Sequence, residues 1–166
     1  VSGQNPITGR EGWWSRMVGP NKPIDTNKFF VICSNVIGGC AGSTGPKEKM
    51  DDDINIYGGE FPSITVKDMV YAQAKLIDAL GINKLFSVVG GSMGGMQVLQ
   101  FVTNFPDKTK TAIPIACTSS HSAQNIAFNE LSRQSIMADT NWKDGNYSNY
   151  DLAPDKGLSV ARMAAH

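Results

Sequence analysis

Histidine is scarce in this sequence: His121 and His166 are the only two in 166 residues. Cysteine is scarce too, since Cys33, Cys40 and Cys117 are odd in number and form no C-x-x-C pair. These shortages argue against a disulfide scaffold and leave a metal site without a ligand set, so a reducing compartment is expected. Neither charge is in excess, because 15 basic residues balance 15 acidic ones and no Lys/Arg cluster occurs. Nucleic acids and anionic membranes are held by a basic footprint that is missing here. The length fits one globular domain or a piece of one. The chain starts at Val1 without a charged-then-apolar leader and ends at His166 inside a helical pattern. An internal fragment of a longer protein, without a signal peptide, is therefore expected.

A membrane span is imitated once. Residues 85–106 carry no charge and are numerous enough to cross a bilayer, but they include Gly90, Gly91, Gly94, Gly95, Ser92, Gln97, Gln100 and Asn104. A strand, a tight glycine turn and a buried helix account for the run better.

Residues 1–28 are rich in Gly, Pro and Asn and read as irregular chain, and residues 29–36 are a continuous apolar run that predicts a strand buried on both faces. A glycine connector at 38–46 and a charged surface loop at 47–53 follow. Thr65 and Asp68 have capping-box spacing ahead of a helix whose Met69, Val70, Leu76, Ile77 and Leu80 recur on one face, with Gly81 as its stop. Residues 85–89 predict a second buried strand. From Met93 to Phe105 apolar residues surround the helix axis, so that helix is expected to be buried nearly all round. A third strand is predicted at 111–117, with Pro114 marking an irregular or edge position. Helices are predicted over 122–138 and from about Lys156. Strands alternating with helices indicate an α/β fold. A boundary near residue 120 divides a core, 1–120, from helices with polar faces, 121–166.

The chemistry sits at one turn. Gly90-Gly91-Ser92-Met93-Gly94 is G-x-S-x-G placed directly after a buried strand and directly before a helix. A serine on such a strained turn holds its hydroxyl clear of the backbone, and small residues two before and two after it let strand and helix approach. The helix N-terminus then directs backbone N–H groups, that of Met93 first, at the oxyanion of an attacked carbonyl. Packing alone, or a phosphate cradle, is the competing reading; G-x-G-x-x-G is not matched and no G-K-[ST] follows. A nucleophilic serine needs a base, and in this architecture the order is Ser, then Asp or Glu, then His. His121 comes too early for that order and His166 ends the chain, so the base is expected outside this sequence.

Several segments agree together: Gly12-Trp13-Trp14, Met17-Val18-Gly19-Pro20, Ile24-Asp25-Thr26, residues 29–33, Gly38-Gly39-Cys40, residues 42–46, residues 88–97 and residues 122–130. In that order they resemble the homoserine O-acetyltransferase family. The resemblance weakens only over 47–60 and 140–155. It implies an α/β-hydrolase fold: a mostly parallel sheet with helices on both faces, incomplete here at both ends, and a helical lid starting after about residue 120. It also implies a two-step transfer in which Ser92 takes acetyl from acetyl-CoA, its co-substrate, and L-homoserine receives it, with no bound cofactor and no metal. Arg133 would hold the homoserine carboxylate; read without the family it is an ordinary surface arginine. Asn125 and Asn129 share its face as pocket lining, while Trp13, Trp14 and Cys40 are expected to be without chemical roles, the tryptophans as packing residues. A strand carrying an oxyanion loop would precede Val1, and the acid and histidine would follow His166. A cytoplasmic homodimer is implied for the full-length protein. Three alternatives stay open: a homoserine or serine O-succinyltransferase, an esterase or thioesterase, and a catalytically dead scaffold. With its sheet incomplete, the fragment alone is expected to expose apolar edges and aggregate.

Overall fold

The sequence signals are strongest around the glycine turn, and the structure, a computed structural model, is most regular there. It describes residues 2–4, 8–39, 42–51 and 54–165. Cys40 and His166 lie outside the described residues. The chain forms two compact units, residues 1–35 and 36–166.

In the first unit, strands β1 (Val18–Gly19) and β2 (Ile24–Asp25) make a minimal parallel pair with Val18 opposite Ile24. Asp25 fixes the turn between and after them: its carboxylate accepts the N–H groups of Asn21 and Asn27, each at 3.0 Å. Those two donors, Asn27 foremost, hold its pKa below the usual aspartate range. Trp13 and Trp14 meet edge to face at 5.2 Å. Trp13 is nonetheless 77% exposed, which corrects its assignment as a packing residue. The short turns around it provide no apolar layer to cover an indole.

Residues 29–36 form no strand, contrary to the expectation from their apolar run. Phe30 is 80% exposed. A strand buried on both faces exists only between ladder partners, and the ladders among the described residues engage other segments.

The second unit is built on helix α1 (Val66–Ala79), strand β3 (Leu85–Gly91), helix α2 (Met93–Asn104) and strand β4 (Thr109–Ile115). The capping box at the start of α1 is complete: the Asp68 N–H donates to the Thr65 hydroxyl, and the Thr65 N–H donates to the Asp68 carboxylate at 2.8 Å. Gly81, with φ +71°, follows its C-cap. The buried stripe of α1 is Val70, Ala74 and Ile77; Leu76 and Leu80 are exposed, so the apolar face is narrower than the sequence suggested. It is set by contact with α2, whose Phe101 joins the same cluster with Ile82, Leu85, Val88 and Phe105 at its edge. One polar rung crosses that interface, where the Gln73 amide donates to the buried Gln97 side chain at 2.5 Å.

As expected, α2 is buried or half-buried over most of its circumference. Residues 85–115 form a parallel β-α-β crossover in which α2 packs on both strands and Leu85 lies opposite Thr109. Pro114 sits within β4, which is tolerated because β3 is the one ladder partner of β4 among the described residues. The layering is one-sided over this stretch, so β3 is not the buried strand expected from its apolar run: α2 covers one face only. Phe86 and Ile113 are 57% and 48% exposed.

Two further helices, α3 (Ala123–Met137) and α4 (Asp155–Ala164), pack on each other. Ser122 caps α3 through the Asn125 N–H. Asp139 joins the pair, accepting the N–H of Asn141 at 2.9 Å and that of Gly157 at 2.8 Å. No described helix is long and apolar enough to cross a membrane.

Candidate active site

Ser92 occupies the junction of β3 and α2 with φ +55° and ψ −121°, a backbone conformation that L-residues rarely adopt. Serine in the N-cap position ordinarily caps its helix through the side-chain oxygen. Here it makes no side-chain cap hydrogen bond, and the residue is exposed. The turn is held by the backbone instead: the Ser92 N–H donates to the Ile115 carbonyl of β4 at 2.9 Å, and the Ser92 carbonyl accepts from Met96 at 3.1 Å. The hydroxyl is thereby left for a ligand.

Glycine is required at specific contacts in this turn. A Cβ on Gly90 would lie 2.3 Å from the Gly94 carbonyl oxygen, so strand and helix backbones meet there. A Cβ on Gly94 would meet nothing within 4 Å, so the residue two after the serine is not the one that space restricts. That constraint falls on Gly95, where a Cβ would sit 2.7 Å from the Cys117 side chain and 3.1 Å from the Ile115 oxygen. Sequence reasoning missed Gly95 as a contact residue; the signal available was the doubled glycine.

Met93 is the first residue of α2, so its N–H has no intrahelical acceptor. With the positive end of an uncharged helix behind it, that N–H suits a developing oxyanion. Ser92 and Met93 are thus together by adjacency. Arg133 lies on α3 and is paired within its own helix, its guanidinium bridging to Glu130 through Nε at 3.0 Å and through Nη2. Hydrogen bonds from Gln134, first, and from Arg133 hold the Glu130 carboxyl below the usual range. Asn125 accepts from the Ser122 hydroxyl at 2.9 Å and is part of the helix cap. His121 lines an open groove of about 460 Å³ along α2, with Met96, Leu99, Gln100 and Thr103 among its neighbours. Ser92 is not part of that lining.

The chain as a whole has counterparts among known proteins. A family profile described as the alpha/beta hydrolase fold matches residues 7–166. The chain belongs to the α/β-hydrolase fold family. A curated relative, homoserine O-acetyltransferase of Pelagibacter ubique, is 69% identical over 100% of this chain and 45% of its own length. Among solved structures, homoserine O-acetyltransferase from Bacillus anthracis superposes with a TM-score of 0.89 at 29% identity, over 97% of this chain and 44% of its own. An esterase superposes with a TM-score of 0.88 at 31% identity, over 99% of this chain and 46% of its own. The chain spans less than half the length of these relatives.

Proposed function

We propose that this chain is the nucleophile-bearing part of a homoserine O-acetyltransferase. The observation that carries the nucleophile is the Ser92 hydroxyl, exposed on a strained turn at a helix N-terminus and not used to cap that helix. The likeness in sequence to acetyltransferases selects the reaction.

In the first half-reaction Ser92 Oγ attacks the thioester carbonyl of acetyl-CoA and its proton passes to a base, for which the family resemblance implies a histidine beyond residue 166. The Met93 N–H receives the oxyanion. The C–S bond breaks, the base returns its proton to sulfur, and CoA leaves as the thiol. In the second half-reaction the side-chain hydroxyl of L-homoserine attacks the acetyl-serine, giving its proton to the same base. Collapse releases O-acetyl-L-homoserine, and Ser92 Oγ recovers the proton. An ester replaces a thioester, so no metal, resident cofactor or external energy source is invoked. Arg133 is assigned to the homoserine carboxylate, a planar anion that a guanidinium fork fits; substrate would displace Glu130 from it. The division into a core, 1–120, and a helical lid beginning at 121, the cytoplasmic location and the homodimer of the full-length protein belong to the same proposal.

A second reading is an esterase or thioesterase, in which water takes the acyl group; the close superposition on an esterase favours it. The test is an assay of the full-length protein with acetyl-CoA or succinyl-CoA as donor and homoserine, serine or water as acceptor. Acetyl transfer to homoserine, lost by several orders of magnitude in Ser92→Ala, is expected. Preferential succinyl transfer, or transfer to water that homoserine does not suppress, would replace the first reading with one of the others.

A further inference from the structure

The left-handed backbone at Ser92 is matched by a second one beside it. Gly91 is the register partner of Ile115, so the next residues along the two parallel strands are Ser92 and Ala116. Their φ angles are +55° and +47°. Two non-glycine residues in this region, side by side at the carboxyl ends of neighbouring strands, are costly for the fold and persist only where the surroundings hold them. The left-handed step at Ala116 follows directly on Ile115, whose carbonyl accepts the Ser92 N–H at 2.9 Å, and leads to Cys117 against the first turn of α2. Gly95 makes that seat possible, since a Cβ there would be 2.7 Å from both Cβ and Sγ of Cys117.

We propose that Ile115–Cys117 is a positioning element for the nucleophile. Ala116 turns the chain so that the Ile115 carbonyl holds the Ser92 amide while the Cys117 side chain rests on Gly95, and the two contacts fix the serine turn from the strand side and the helix side. The proposal rests on Ser92 being a nucleophile and is independent of which acyl donor or acceptor the full-length protein uses. It assigns Ala116, Cys117 and Gly95 as residues that act through Ser92, not on substrate.

The test uses the full-length protein and a fluorophosphonate, which forms an Oγ–P bond with an activated serine as the P–F bond breaks and fluoride leaves. The second-order rate of labelling at Ser92, located by mass spectrometry, is measured alongside the melting temperature. Gly95→Ala should slow labelling by at least about tenfold, because displacing a reacting group by a fraction of an ångström to 1 Å costs rates of that order. Its melting temperature should not fall in proportion, since alanine favours the helix. Adding Cys117→Gly removes the Cβ and Sγ that the new methyl would meet at 2.7 Å and lets that methyl take their place against residue 117, leaving the 3.1 Å approach to the Ile115 oxygen, so the double variant should label at least about threefold faster than Gly95→Ala alone. Independently, Ala116→Val should slow labelling far more than Ala116→Gly, because glycine accepts the left-handed backbone and a β-branched residue does not. Equal labelling rates in Gly95→Ala and the parent, or in the two Ala116 variants, would overturn the positioning role. So would a double variant no faster than Gly95→Ala. A parent that is not labelled at Ser92 would overturn the nucleophile itself and this proposal with it, a result distinct from the others.

Discussion

Ser92 holds a backbone conformation that a glycine would adopt without cost. Strain of this kind amounts to about 1–3 kcal/mol. Ser92→Gly in the full-length protein should therefore keep or raise stability, by up to about 1 kcal/mol, while acyl transfer is lost; urea denaturation and the transfer assay check the two halves. Arg133→Ala should leave CoA release in the first half-reaction largely intact while weakening the use of homoserine. Equal loss of both half-reactions would contradict its assignment. At this scale the strained serine turn was legible because its signal is local, a serine between glycines at a strand-to-helix junction. Gly95 and Ala116 were not, because their significance depends on which residue of β4 arrives beside α2, and a tertiary register leaves no mark in a single sequence. The pairing of Arg133 with Glu130 has a mark, the i, i+3 spacing, but spacing alone does not say whether a carboxylate or a substrate occupies the guanidinium.

Elements with strong local codes formed as read. The box at Thr65 and Asp68 starts α1, and Thr65→Ala should destabilise the protein by about 1 kcal/mol, measurable as a shift in the urea midpoint. Asp139, just after α3, accepts the N–H of Asn141 within its own turn and that of Gly157 in α4, and those bonds hold its pKa below the ordinary 3.8. A carboxyl depressed on folding contributes stability that is fully present above its unfolded pKa and is lost as pH falls through the folded one. The penalty of Asp139→Asn should thus be full well above pH 3.8 and shrink below it, as the parent aspartate itself becomes protonated. Denaturation curves of both proteins across that range check it; a penalty independent of pH would show that the charge does not matter. The segment 29–36 shows where local codes stop. Its apolar run predicted a strand buried on both faces, and none forms: composition does not supply a ladder partner, and Phe30 remains in solvent.

The whole molecule divides in the same way. The α/β class was legible because β3, α2 and β4 follow one another directly and need no distant segment, whereas the extent of the sheet depends on pairing that no local pattern specifies. Within residues 36–165 the exposed faces of Phe86, Ile113 and Ile115 leave apolar surface uncovered. Residues 1–166 expressed alone should bind a hydrophobic dye and self-associate; a soluble monomer with a sharp cooperative melt would refute this. The contiguity of the β3–α2–β4 crossover has one more consequence. During synthesis, every residue that shapes the serine turn, from Gly90 to Cys117, leaves the ribosome within a single short stretch, well before α3 and α4 are complete. Local pairing of this kind forms early. The strained turn that presents the Ser92 hydroxyl is then set in place before α3 and α4 are complete, so its exposure belongs to the crossover itself and precedes the helices that follow it.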